Sequence, residues 1–150
     1  YAWLERELAR WARAPSQPWL IVTMHRALYC TLKHWCNSDE QLAMRRNIEP
    51  LLHKYGVAVV FAGHVHAYER TVAEYNDRAD SSGTVHITVG TAGAKLNDKW
   101  MELPYTWSAA SMSHHGYGLL QITSNTLSFQ LIRSKNNAVA DQVTLTKHRK

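Results

Sequence analysis

Three histidines stand where short apolar runs end. His25 follows Trp19-Leu-Ile-Val-Thr-Met24, and His64 and His66 follow Val57-Ala-Val-Val-Phe-Ala62 across Gly63. Neutral imidazole ligates Zn, Fe, Cu or Ni. Three imidazoles meeting at one edge would hold a metal; three solvated loop histidines would do nothing, and spacing alone leaves both readings open. In an extended segment the i, i+2 spacing of His64 and His66 points both rings the same way. Gly63 removes a side chain where the backbone turns sharply. A further histidine, His34, lies between Cys30 and Cys36. Those two cysteines could form a local disulfide, remain two thiols, or contribute to a metal site with His34.

Convergence of the histidines requires the two apolar runs to be neighbouring parallel strands. Residues 1–13 read as a helix, with Leu4, Leu8 and Trp11 on one face, ended by Pro15 and Pro18. Residues 19–24 and 57–62 read as buried strands. Between them Ser38-Asp-Glu-Gln41 resembles a capping box, opening a helix to about Tyr55 that Pro50 should kink or restart. Gly56 is placed to end it in a left-handed conformation. Strand, helix, strand is a βαβ unit, and ligands of open α/β sheets sit at the carboxyl ends of the strands.

Beyond Gly63 the pattern changes. Val85–Val89, Tyr117–Thr123, Thr126–Arg133 and Val139–Thr146 read as shorter strands, with Ser124-Asn125 and Lys135-Asn136-Asn137 as hairpin turns. The stretch from Gly90 to His115 has no clear period, which marks either a functional loop or an unrecognised element. Trp3, Trp11 and Trp19 are expected in the core or as a lid, and His53 and His86 as structural residues. His114 and His115 fall at the rim of the site or on a surface turn.

Composition narrows the classes. The chain has 150 residues, 45% of them hydrophobic and 19% charged, which excludes a wholly disordered or collagen-like chain. No apolar run approaches the roughly 20 residues of a membrane-spanning helix. The net charge is +5, but basic residues are scattered apart from Lys147, Arg149 and Lys150. That pattern argues against a dedicated nucleic-acid surface. There is no N-x-S/T sequon.

The residue strings carry more than the spacing does. Gly63-His-Val-His-Ala-Tyr-Glu-Arg70 resembles the GHxHxYER motif of purple acid phosphatases, within the calcineurin-like metallophosphoesterases. Val22-Thr-Met-His25 matches the VxxH motif of that family, and Gly83-Thr-Val-His-Ile-Thr-Val-Gly-Thr-Ala-Gly93 resembles its C-terminal segment. The resemblance implies that His25 and His64 bind a divalent metal and His66 a ferric ion. It implies that His34 contacts the substrate phosphate and protonates the leaving group. Some plant members follow that histidine with another; here Trp35 follows. Tyr68, Glu69 and Arg70 would support the metal histidines, with Glu69 or Arg70 fixing the loop by hydrogen bonds.

The implied activity is hydrolysis of phosphate monoesters by a metal-bound hydroxide at a binuclear centre, Fe(III) with Zn, Fe(II) or Mn. The family's GDxG, GDxxY and GNH motifs do not occur in this sequence. By motif count the chain supplies three of seven ligands, the histidine half. The fold expected is α/β, the C-terminal part of a metallophosphoesterase α/β/β/α sandwich, N-terminally incomplete: a βαβ unit followed by mostly antiparallel strands. Residues 1–83 would belong to the catalytic core and 84–150 to the C-terminal segment of the same domain. Partners implied are a phosphomonoester substrate and either the missing N-terminal portion or a homodimer partner, with no membrane. The resemblance places the protein outside the cell or in a vacuole or lysosome. The competing expectations are a truncated, non-catalytic remnant or binding module retaining at most one metal on the three histidines, and a different, one-metal hydrolase.

Overall fold

The computed structural model describes residues 1–102 and 105–147; Pro104, Arg149 and Lys150 lie outside them. The Ser38 hydroxyl accepts from the Gln41 backbone N–H at 3.3 Å and caps α2 (Asp39–Lys54) as its spacing predicts. The return bond differs from a capping box, because the Gln41 side chain accepts from the Asn37 N–H. Pro50 does not restart the helix, which is continuous through it. Leu51 and Leu52 directly beyond it are buried in the core, and burying side chains of this size yields about 1.5–3 kcal/mol each. That offsets the ladder bond a proline cannot make. Gly56 ends the helix at φ +66°, its N–H donating to His53 O at 3.1 Å.

Helix α2 joins β1 (Ile21–Met24) to β2 (Val59–Ala62), which pair in parallel with Met24 opposite Ala62. Strand β6 (Val85–Val89) pairs in parallel with β2. Two strands absent from the sequence expectation complete this sheet. β3 (Tyr68–Thr71) pairs antiparallel with β6, and β7 (Ser108–Met112) antiparallel with β3, giving the order β1-β2-β6-β3-β7. β7 lies inside the stretch that had no readable period. A small hairpin, β4 (Glu74–Tyr75) and β5 (Arg78–Ala79), follows β3. The last three strands, β8 (Gly116–Ile122), β9 (Thr126–Arg133) and β10 (Val139–Thr146), form a separate antiparallel sheet close to the predicted spans.

The layers follow from the two faces of the first sheet. On one face α1 (Ala2–Ala12) and α2 pack through Leu8, Leu51 and Leu52 against Val60, with Leu28, Tyr29 and Trp107. On the other, Val59, Tyr68, Val85 and Ile87 pack against Leu127, Phe129 and Leu131 of β9. The result is a helix layer on two stacked sheets. Trp3 and Trp11, expected in the core or as a lid, are not in the core but exposed on α1. Trp19 is partly buried, its indole N–H donating to Thr123 O at 3.0 Å. β8 leaves Tyr117, Leu119, Leu120 and Ile122 exposed. Among the described residues, no helix is long and apolar enough to cross a membrane.

Candidate metal centre

The parallel register of β1 and β2 brings their carboxyl ends together, and the Gly63 N–H donates to His25 O at 3.1 Å just beyond them. His25 Nε2 and His64 Nδ1 meet at 3.0 Å. The backbone between Gly63 and Ala67 is not extended, as the i, i+2 reading required. The Val65 N–H donates to Gly63 O at 2.7 Å and the Ala67 N–H to Val65 O at 2.8 Å. These are consecutive γ-turns, one centred on each histidine. His64 has φ +62°, a strained conformation of the kind that clusters at functional sites. The turns bury Val65 and Ala67 with Ala27, Cys30 and Leu32, and leave both imidazoles partly exposed.

His66 is held from the opposite side. Its Nδ1 lies 3.0 Å from Lys95 O, its backbone N–H donates to Asn97 Oδ1 at 2.9 Å, and the Asn97 N–H donates to His66 O at 2.8 Å. A ligating histidine commonly donates its second N–H to a carbonyl, which leaves the other nitrogen for a metal. No sequence signal announced Lys95 or Asn97, since their contacts span about thirty residues of irregular chain. His115 braces the same segment through Nε2 to Ala94 O at 3.0 Å, whereas His114 is exposed without such a contact. His53 stacks on Tyr75 away from the site, and His86 is buried in β6.

His34 lies on a loop closed by a disulfide between Cys30 and Cys36. It is exposed and has φ +67°. Its neighbour Trp35 brings the loop to the histidines: the indole centroid is 5.6 Å from the His64 ring, edge-on, and 6.1 Å from the His66 ring, stacked. Glu69 on β3 fixes the loop. It accepts from the Thr31 N–H, the Thr31 hydroxyl and the Ser108 hydroxyl, each at 2.8 Å. Arg70, the alternative anchor, turns to the second sheet and pairs with Asp141 at 2.6 and 3.0 Å, where Tyr68 also donates at 2.5 Å.

Burial, and then the positive charges of Arg26, His25 and His66, hold the His64 imidazole below its ordinary pKa. That favours the neutral form a metal requires. Three imidazoles suit zinc or iron, and the Lys95 carbonyl orients one of them, so the donors fit part of a metal centre. They lack the carboxylate, phenolate and amide oxygens of a charged binuclear site. Among the described residues, no group of three or more His, Cys, Asp or Glu side chains is arranged to hold a metal ion.

Comparison with known proteins covers both halves of the chain. A family model described as calcineurin-like phosphoesterase matches residues 1–68. One described as iron/zinc purple acid phosphatase-like protein C matches residues 83–142. Purple acid phosphatase 18 of Arabidopsis thaliana is 40% identical over 129 residues, covering 84% of this chain and 29% of that protein. Purple acid phosphatase 22 of the same plant is 35% identical over 150 residues, covering 97% of this chain and 34% of that protein. The solved structure of a purple acid phosphatase from yellow lupin seeds superposes with a TM-score of 0.86 at 29% identity, covering 97% of this chain and 28% of the lupin chain. The chain thus spans about a third or less of the length of these three relatives.

Proposed function

The chain belongs to the purple acid phosphatases, a family of metallophosphoesterase hydrolases, and from that premise we propose that it supplies the histidine half of a binuclear centre that hydrolyses phosphate monoesters. His25 and His64 hold the divalent ion (Zn, Fe(II) or Mn) and His66 the ferric ion. When bound, the metals supply an activated water and neutralise charge on the phosphoryl oxygens. His34 protonates the leaving oxygen from the disulfide loop. Glu69 keeps that loop against β3, and Lys95 O keeps the His66 ring turned outward. Residues 1–83 contribute the core elements that carry the histidines, and residues 84–150 the segment that braces them.

The observation that carries this reading is the meeting of His25 and His64 at the ends of two paired parallel strands. The Cys30–Cys36 disulfide suits an oxidising compartment and supports a secreted, vacuolar or lysosomal location. The partners this reading calls for are a phosphomonoester and the elements that bring the remaining ligands, from a preceding segment or a second chain.

A second reading rests on the absence, among the described residues, of a group of three donors arranged for a metal. In it the chain is a non-catalytic module holding at most one metal. Metal analysis and phosphomonoester turnover of the purified chain test both. We expect one weakly bound zinc per chain, lost in His64→Ala, and negligible turnover. No zinc binding overturns the metal reading; two tightly bound metals with rapid turnover overturn the division of the site into halves.

A further inference from the structure

We infer that the open side of the sandwich, where β1 and β8 both end their sheets, is a self-association surface on which a second copy of this chain docks about a two-fold axis. The inference goes beyond the metal reading and stands independently of it.

The two sheets end on the same side. Asp141 of β10 reaches Tyr68 and Arg70 of β3, so β10 lies over the β3 side of the first sheet. Phe129 of β9 packs on Phe61 of β2 and on Tyr68. β8 continues in the same direction, toward β1, and Trp19 just before β1 donates to Thr123 O just after β8. β1 and β8 are end strands, each with one row of backbone N–H and C=O groups unpaired by a strand among the described residues. Neither strand contains a charged residue or a proline, the devices that usually blunt an edge against pairing. Register places Leu120 opposite Phe129 and Ile122 opposite Leu127, on the face that is core elsewhere. Yet Leu120 is 37% exposed and Ile122 48%. Beside β1, a cavity of about 420 Å³ is lined by Trp3 and Trp11 of α1 and by Ile21 and Val22.

The exposed area matches a missing partner. The chain exposes 8952 Å², whereas a compact monomer of its 17.1 kDa exposes about 7,800 Å². The excess, about 1,200 Å², exceeds the roughly 800 Å² that each partner buries in a stable interface. The occupant must offer two unpaired edges at the spacing of two stacked sheets. A second copy meets that requirement by construction. One two-fold axis perpendicular to the sheets sets β8 antiparallel to its own copy, as a strand pair of this symmetry requires. The same rotation brings β1 opposite β1, helix layer beside helix layer, with Leu120, Ile122 and the α1 tryptophans closing the mouth. It also carries the two His25–His64 pairs to opposite ends of the joined sheets. The second copy therefore adds no ligand to either, and the dimer is a non-catalytic form.

Sedimentation equilibrium of the full chain tests this and should give twice the chain mass at micromolar concentration. Leu120→Lys with Ile122→Lys sets like charges across the axis and should weaken the dimer at least about 100-fold. Val139→Lys, at a site 49% exposed on the opposite edge of the same sheet, should leave it intact. Both native cysteines are bridged, so Leu119→Cys, at the middle of β8, should cross-link to its own copy under mild oxidation, and Val139→Cys should not. Cross-linking keeps the arrangement testable if the lysine variant does not fold. A monomer, an open-ended aggregate, a dimer that survives both lysines, or cross-linking at Val139→Cys as strong as at Leu119→Cys overturns the proposal. Zinc titration of the same samples reports on the histidines separately, so either reading can fail without the other.

Discussion

Glu69 accepts two hydrogen bonds from Thr31, one from its backbone N–H and one from its hydroxyl, across 38 residues of sequence. The pairing ties β3, which directly follows His64 and His66, to the disulfide loop that carries His34 and Trp35. Glu69 is 3% exposed, and burial holds its carboxyl above the usual range even though three donors favour the ionised form. Glu69→Ala orphans a buried N–H and removes hydrogen bonds to a charged group, a loss of about 3 kcal/mol. Urea unfolding should show that loss, and amide exchange at Thr31 should accelerate. Unchanged exchange at Thr31 would mean that the carboxylate does not hold the loop.

Glu74 and His86 face each other at 3.2 Å in the core, with side chains 0% and 4% exposed. Tyr29, Glu49, Arg45 and Asp77 surround them: Tyr29 donates to Glu49, and Arg45 binds Asp77 at 2.9 Å. Burial, aided by the charges of Glu49 and Asp77, pushes Glu74 up to about 8, and burial pushes His86 down to about 4. The raised Glu74 contributes stability that is complete below its unfolded pKa of 4.5 and lost as pH rises to about 8. The depressed His86 contributes stability that is complete above 6.5 and lost as pH falls to about 4. The two slopes cancel between 4.5 and 6.5, so stability should be greatest there. It should fall by about 2 kcal/mol between pH 6.5 and 8, where only Glu74 titrates. Urea unfolding across pH 4–8 measures this, and Glu74→Gln should remove the fall above pH 6.5.

The Cys30–Cys36 bridge closes a small loop, with a sequence separation of 6. Loop-closure entropy for so short a span gives about 2 kcal/mol of stabilisation. Cys30→Ser with Cys36→Ser should lower the urea midpoint accordingly and loosen Trp35 before the sheets. Indole fluorescence anisotropy in a variant retaining Trp35 as its sole tryptophan would report the loosening. An unchanged midpoint would mean that Glu69 and the Lys33–Lys99 backbone bond hold the loop without the bridge.

The parallel strands, α2 and the terminal antiparallel sheet were legible because each carries a local signature. Apolar runs mark β1 and β2, Ser38 marks the helix start, and β9 alternates buried and half-buried residues. β3 was not legible, because Tyr68-Glu-Arg-Thr71 holds two charged residues whose burial depends on partners far along the chain. Tyr68 and Arg70 meet Asp141, while Glu69, on the opposite face, meets Thr31. β7 was hidden for a related reason. Its Ser108-Ala-Ala-Ser-Met112 has little apolar volume, and it exists as a strand through its register with β3. The positions of the histidines were readable but their backbone was not, since γ-turns at His64 and His66 leave no period-two or helical trace.

Gly90 shows how closely that turn is packed. Its N–H donates to Ala67 O at 3.0 Å, and a Cβ on Gly90 would fall far inside contact with the Val65 carbonyl and lie 3.2 Å from His66 Cα. The obstacle is backbone, which cannot swing aside as a side chain can. Gly90→Ala must therefore displace the segment between the two histidines. Overpacking of this kind costs about 1–3 kcal/mol, and zinc affinity should fall at least about 10-fold, as when a group supporting a ligand is lost. Gly56→Ala is the matched control. Nothing lies within 4 Å of its Cβ position, but φ is +66°, so it should cost about 1 kcal/mol through backbone strain and leave zinc affinity unchanged. Calorimetric zinc titration of both variants, with urea unfolding in parallel, separates the effects. Wild-type zinc affinity in Gly90→Ala would show that the close approach of Gly90 to the γ-turns does not position His64 and His66 for a metal.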